Sequence, residues 1–273
     1  MALSTYKQNH VQEYGNGPET LMLAHGFGTD QQVWQEMIPR LSESFRVITF
    51  DYTGAGQSDL SAYDPIRYSS ESGYAEDIIS ILDERNLTDV HFVGHSVSGM
   101  IGAEAAIERP DLFKTLTMIG PSAHYLNDGT YYGGFERDEI NELLTLMERN
   151  YKEWAKMLAP VAMGPSNPDQ LTLEFEERLT RNNAAITRQF AEVTFQIDMR
   201  DRIQELHKPV LILQGQEDTI APLKAVEFIH DQLSDSELVL LEATGHNPHL
   251  SAPLELAAHI LRFVQAREAG ITE

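Results

Sequence analysis

Three widely separated residues, Ser96, Asp218 and His246, are the parts of this chain best suited to chemistry. Ser96 lies in Val90-His91-Phe92-Val93-Gly94-His95-Ser96-Val97-Ser98-Gly99. The apolar start reads as a buried strand, the middle as a sharp turn, and the rest as a helix rich in small residues: Gly99, Gly102, Ala103, Ala105 and Ala106. A nucleophile elbow needs this arrangement, because the turn presents the serine at its tip and small neighbours let the helix close on the strand. The fifth position of the usual G-x-S-x-G pattern is Ser98, so the match is to a looser small-x-Ser-x-small form. A hydroxyl is a poor nucleophile at neutral pH; a base must take its proton and a carboxylate must orient that base. For a serine on such an elbow the chain order is serine, acid, histidine. Asp218 follows the apolar run 210–213, in a loop past a strand end where side chains of open α/β sheets converge. Glu217 competes with it at this spacing. His246 follows the run 238–241 and Gly245, before the last helix; His249 is its nearest rival, but lies past Pro248 where that helix begins.

An anion developing on a substrate carbonyl needs two backbone N–H donors. Val97, the residue after the serine, supplies one, and Phe27 in His25-Gly26-Phe27-Gly28 supplies the other, its flanking glycines permitting the turn. Neither Gly26-Phe27-Gly28 nor Gly54-Ala55-Gly56 continues into a dinucleotide fingerprint, so no nicotinamide or other cofactor is expected. The spacing of His246 and His249 would suit a metal only on a helix, which Pro248 opposes, and no third ligand is in view. There is no cysteine, which excludes disulfides, thiolate catalysis and sulfur-ligated zinc. The formal net charge of -22 opposes nucleic-acid binding. Residues 1–10 are polar and lack the apolar stretch of a signal peptide, and no apolar run approaches the roughly 20 residues that cross a bilayer. The expectation is a soluble cytoplasmic protein with no membrane role, where Asn86-Leu87-Thr88 carries no glycan.

The elements that must position these residues alternate. Apolar runs at 21–24, 47–50, 90–93, 116–119, 210–213 and 238–241 predict strands buried on both faces of a mostly parallel sheet. Helical patterns lie between them: Tyr74, Ile78, Ile81 and Leu82 recur at helical spacing over 73–85, and Leu256, Ile260 and Phe263 share a face after Pro253. The alternation breaks over residues 122–202, where four helical patterns follow one another at about 136–150, 151–162, 169–181 and 184–195. Asn167 is placed to cap the third of these, with Pro168 at its first position. The block reads as a helical insertion into one domain, whose core is 1–121 and 203–273.

Taken together, His25-Gly26-Phe27-Gly28, Asp51-Tyr52-Thr53-Gly54-Ala55-Gly56-Gln57-Ser58-Asp59, Gly94-His95-Ser96-Val97-Ser98, Gly215-Gln216-Glu217-Asp218 and Gly245-His246 resemble the α/β-hydrolase family. Tyr125-Leu126-Asn127-Asp128, Tyr132-Gly133-Gly134-Phe135-Glu136, Asn150-Tyr151 with Trp154, and Arg188-Gln189-Phe190-Ala191 narrow the likeness to the group containing the bacterial stress-response regulator RsbQ and the plant karrikin and strigolactone receptors. The resemblance covers nearly the whole chain. It implies a mostly parallel sheet of about eight strands and a four-helix cap of two V-shaped pairs over a deep apolar pocket. By position it implies Phe27, Tyr125, Phe135, Trp154, Phe190 and Phe195 as pocket lining, although aromatic stripes at helical spacing also simply hold helices together. Met157-Leu158, apolar but not aromatic, suggests a roomier pocket.

The expected function is hydrolysis of a small, largely apolar ester or lactone through an acyl-enzyme. A serine at the elbow argues against dehalogenase and epoxide-hydrolase chemistry, while carbon–carbon bond hydrolysis and cofactor-free haloperoxidation use the same triad and stay open. The alternative is an RsbQ-like signalling regulator or ligand receptor with slow hydrolysis and a protein partner on the cap surface. A third possibility is an inactive binder of small molecules, which the complete triad opposes.

Overall fold

The computed structural model describes residues 4–270. Seven strands form one sheet: Gln12–Tyr14 (β1), Glu19–Ala24 (β2), Phe45–Phe50 (β3), Val90–His95 (β4), Phe113–Ile119 (β5), Val210–Gln216 (β6) and Ser236–Thr244 (β7). Their order is β1-β3-β2-β4-β5-β6-β7. β1 is antiparallel to β3, and the other pairs are parallel. Eight longer helices accompany them: Glu71–Glu84 (α1), Val97–Glu108 (α2), Arg137–Arg149 (α3), Tyr151–Met163 (α4), Asp169–Arg181 (α5), Ala184–Gln196 (α6), Leu223–Gln232 (α7) and Pro253–Glu268 (α8).

Each of the six apolar runs is a strand. The count departs from the expected eight because only seven strands occur among the described residues, and one of these, β1, was not legible: it is the polar tripeptide Gln-Glu-Tyr on the sheet edge, without an apolar pattern. β7 departs from the expectation of burial on both faces. Leu240 is 54% exposed while Leu241 is buried, since this strand pairs only with β6 and one of its faces meets solvent.

Alternation along the central strands sends side chains to two separate cores. Met22, Ala24, Ile48, Phe50 and Ile212 face α1, α2 and the helices of residues 137–196. Leu21, Leu23, Val47, Leu211 and Leu213 face Trp34, Met37 and the Leu256, Ile260 and Phe263 stripe of α8. Burial of each such side chain contributes roughly 1.5–3 kcal/mol, so the two layers clamp the sheet flat against helices on both sides. As a result the strand ends after Ala24, His95, Gln216 and Thr244, which lead to the candidate site residues, are held at one edge of a rigid platform.

Helices α3 to α6 connect β5 to β6. Their starts are chemically marked. Glu136 and Glu139 form a reciprocal capping box on α3, Asn150 caps α4 through Glu153 N–H, and Asn183 caps α6 through the N–H groups of Ala185 and Ile186. The expected Asn167 cap is not formed. Pro168 takes the cap position of α5, and the Asn167 amide turns back to donate to Met163 O (2.6 Å) and Thr244 O (2.9 Å). Asn167 therefore ties the end of α4 to the end of β7. The last carbonyls of a helix lack intrahelical donors, and here a side-chain amide supplies one.

Because Asn167 acts as a donor, Asn167→Asp, which keeps the shape and removes the N–H, should destabilise the protein by about 1–2 kcal/mol. The same change would be silent if the residue were an N-cap, since aspartate caps as well as asparagine. Urea denaturation of the two proteins distinguishes these outcomes.

Candidate active site

Ser96, Asp218 and His246 come together at the sheet edge. Ser96 sits between β4 and α2 with φ 57° and ψ -124°, a backbone conformation rarely adopted by an L residue, and this strain presents its hydroxyl at the tip of the turn. His246 Nε2 lies 2.8 Å from Ser96 Oγ, and His246 Nδ1 lies 2.8 Å from Asp218 Oδ2. All three are buried. The other Asp218 oxygen accepts from Ile220 N–H and Ala221 N–H, both at 2.9 Å, so the carboxylate is fixed by the loop that carries it. Glu217 is exposed, and its carboxylate lies 3.4 Å from the Ser166 hydroxyl. His249 is the second residue of a short helical turn, Pro248–Ser251, and packs behind the site against His95 with the rings tilted.

The proton positions follow from the partners. A carboxylate only accepts, so His246 Nδ1 carries the proton and Nε2 accepts from the Ser96 hydroxyl. Ser96 Oγ has one proton, already directed to the imidazole. The buried Tyr125 hydroxyl, 3.2 Å away, must therefore be a donor to Ser96 Oγ. Position in the chain marks Tyr125 only as pocket wall, and no local pattern signals this bond. Burial pushes the Tyr125 phenol well above its ordinary value, which keeps it a donor.

The departure at Ser98 also has a use. Its hydroxyl donates to His25 O at 2.5 Å and accepts from Tyr52 O–H at 2.9 Å, binding the elbow helix to the loop that contains Phe27. Val97 is the first residue of α2, where a backbone N–H has no intrahelical partner, and Phe27 lines the same cavity as Ser96. On the far side, His246 N–H donates to Ala162 O of α4 at 2.8 Å. Gly245 (φ +81°) makes this approach possible, since a Cβ there would lie 2.1 Å from Met163 O.

The cavity above Ser96 measures about 30 Å³, room for roughly two waters. It is smaller than the deep, roomy pocket expected. Leu158 reaches the cavity, but Met157 is 48% exposed on the outside of α4 and adds no space. Of the six expected lining residues, Phe27, Tyr125 and Phe195 touch the cavity. The other three stand one layer behind. Phe135 packs on Phe195, Trp154 on Phe27 and Tyr151, and Phe190 on Phe27 and Tyr74. Phe175, Leu158 and Thr194 take their places, and only the rotation of each helix decides which side chain faces in.

Among the described residues, one cluster has metal-ligand spacing: Glu19, His91 and Glu268. It lies at the opposite end of the strands, and the Lys114 ammonium pairs with both carboxylates. Among the same residues no helix is long and apolar enough to cross a membrane.

The chain belongs to the alpha/beta hydrolase fold family, whose model matches residues 19–253. It is 38% identical to a karrikin insensitive 2 receptor of Petunia hybrida over 94% of this chain and 95% of the relative. It is 36% identical to a strigolactone esterase of Arabidopsis thaliana over 93% of this chain and 95% of the relative. A hydrolase from Oleispira antarctica superposes with a TM-score of 0.93 at 38% identity, covering 96% of each chain.

Two imidazoles beside the site are held neutral. Burial, then the neighbouring histidines, lowers His95 well below the ordinary range, and burial, then His246 and Arg178, brings His249 down to about 3. In the unfolded chain both titrate near 6.5. Between these values the unfolded state binds the proton and the folded state does not. Stability is thus complete above pH 6.5 and falls as the pH drops toward 3, by up to about 1.4 kcal/mol per pH unit for each ring. His249→Phe should flatten the dependence of unfolding free energy on pH between 6.5 and 4, and an unchanged slope would contradict the assignment.

Proposed function

We propose that this protein is a serine hydrolase of small, largely apolar esters or lactones, with Ser96 as nucleophile, His246 as base and acid, and Asp218 as the carboxylate that orients it. The observation that carries the reading is the unbroken relay Asp218–His246–Ser96, with both links at 2.8 Å and water largely excluded. Ser96 Oγ adds to the substrate carbonyl as its proton passes to His246 Nε2. The Phe27 and Val97 N–H groups stabilise the resulting oxyanion. The imidazolium, held by Asp218, then returns the proton to the departing alkoxide, leaving an acyl-serine. Water attacks this ester as His246 takes its proton, and the carboxylic acid leaves as Ser96 is reprotonated. The apolar lining of Phe27, Leu158, Phe175 and Phe195 supports apolar acyl or lactone groups. An aliphatic chain there adds roughly 0.8 kcal/mol per buried CH₂.

A second reading is favoured by the 38% identity to a karrikin receptor: a ligand-responsive regulator whose slow hydrolysis accompanies signalling, with a protein partner on the surface of α3 to α6. Turnover separates the two. A typical enzyme runs near 10 per second, whereas the regulator would process less than about one ligand per minute.

With p-nitrophenyl acetate as substrate, Ser96→Ala should lower turnover at least about a thousandfold. A variant with near wild-type rates would refute the serine mechanism. Tyr125→Phe, which removes the second hydrogen bond on Ser96 Oγ without emptying the pocket, should change kcat by about five- to thirtyfold while KM stays within about threefold, a bond of this type being worth ~1–2 kcal/mol.

A further inference from the structure

We propose that His95 is a positioning residue for the base: its Nε2–H holds the main-chain carbonyl of His246 and thereby sets the imidazole on Ser96. The proposal rests on the serine-hydrolase reading and deepens it. His95 Nε2 lies 2.8 Å from His246 O. A carbonyl only accepts, so Nε2 carries the ring proton and Nδ1, in a neutral ring, is bare. Nδ1 has no hydrogen-bond partner within the protein. It abuts the loop before Phe27 instead, where a Cβ on Gly26 would lie 2.3 Å from it. The His249 ring packs on the other side, tilted by 53° with centroids 4.2 Å apart, and Trp34 lies 5.0 Å beyond it, so a row of buried rings backs His95 against the catalytic imidazole.

The ring is 3% exposed. Burying an imidazole with one unpartnered nitrogen costs free energy that a phenyl ring or an aliphatic side chain of similar size would not. What the imidazole adds is the Nε2 donor, and that donor has one acceptor, His246 O. The main chain of His246 is then held on both sides of its Cα, its N–H by Ala162 O and its carbonyl by His95. With both flanking peptide groups fixed, side-chain rotation is the remaining freedom of the base, and Asp218 restricts that. Being next to Ser96 in sequence, His95 couples nucleophile, Phe27 loop and base through one side chain.

The test compares His95→Gln with His95→Asn, using p-nitrophenyl acetate and thermal unfolding. Glutamine places an amide nitrogen where Nε2 sits; asparagine carries the same amide one methylene short and does not reach. Since misplacement of a catalytic group by an ångström can cost on the order of a hundredfold, kcat should fall at least about thirtyfold in His95→Asn and stay within about fivefold of wild type in His95→Gln, with KM within about threefold in both. Equal losses in the two variants, no loss in either, or an effect on KM alone would overturn the proposal. So would a glutamine variant that fails to fold, because glutamine preserves the one contact invoked. If only the asparagine variant fails to fold, the glutamine rate decides alone, a loss beyond fivefold counting against. A wild-type rate no higher than that of Ser96→Ala would instead sink the hydrolase reading, and this proposal with it.

Discussion

Everything at the edge of this sheet depends on one imidazole held between a carboxylate and a hydroxyl where water is scarce. Electrostatic attraction at a few ångströms grows several-fold when the surroundings are less polarisable than water, so the Asp218–His246 contact gains from burial. The same burial penalises every polar group left without a partner. The structure answers that penalty locally. One Asp218 oxygen accepts from two backbone donors and the other from the histidine and the Gln214 amide, and His246 has both backbone groups bonded before its ring is counted. Ser96 is held by a strained turn that a close-packed helix and strand overdetermine.

The helices of residues 137–196 are part of this arrangement, not a cover laid on it. The C-terminal end of α4 offers orphan carbonyls, and the histidine loop offers donors: His246 N–H to Ala162 O, with Asn167 joining Met163 O to Thr244 O. The wall of the cavity and the orientation of the base are thus set by the same contacts. The cavity, about 30 Å³, is smaller than an ester of ordinary size.

Much of the site was legible before any fold was known, and the reason is that its marks are local. An elbow serine needs small neighbours at fixed offsets, and a strand-loop-residue order places acid and base. Asp218 and Glu217 were not separable this way, because adjacent residues in a loop share every local signal. Glu217 has φ +53°, and it is this turn that sends one carboxylate inward and the other out. Asn167 shows the opposite failure: the residues around it spell a helix start, but its side chain is used by an element 77 residues away in sequence. β1 was invisible because an edge strand needs no apolar pattern.

Residue order and hydrophobic period by themselves determined the six apolar strands, the four helices between β5 and β6, and the candidate serine and histidine, with the acid narrowed to two neighbours. These follow from chain geometry that repeats every two or 3.6 residues and from turn chemistry within a few positions. Tertiary structure alone decided that Tyr125 bonds the serine, that Phe175 faces the cavity while Trp154 and Phe190 back it, and that Met157 points to solvent. A helix pattern says which face is apolar but not which part of that face meets a cavity and which meets another helix. That choice is made by contacts between residues far apart in sequence, and they exist only once the chain has closed on itself.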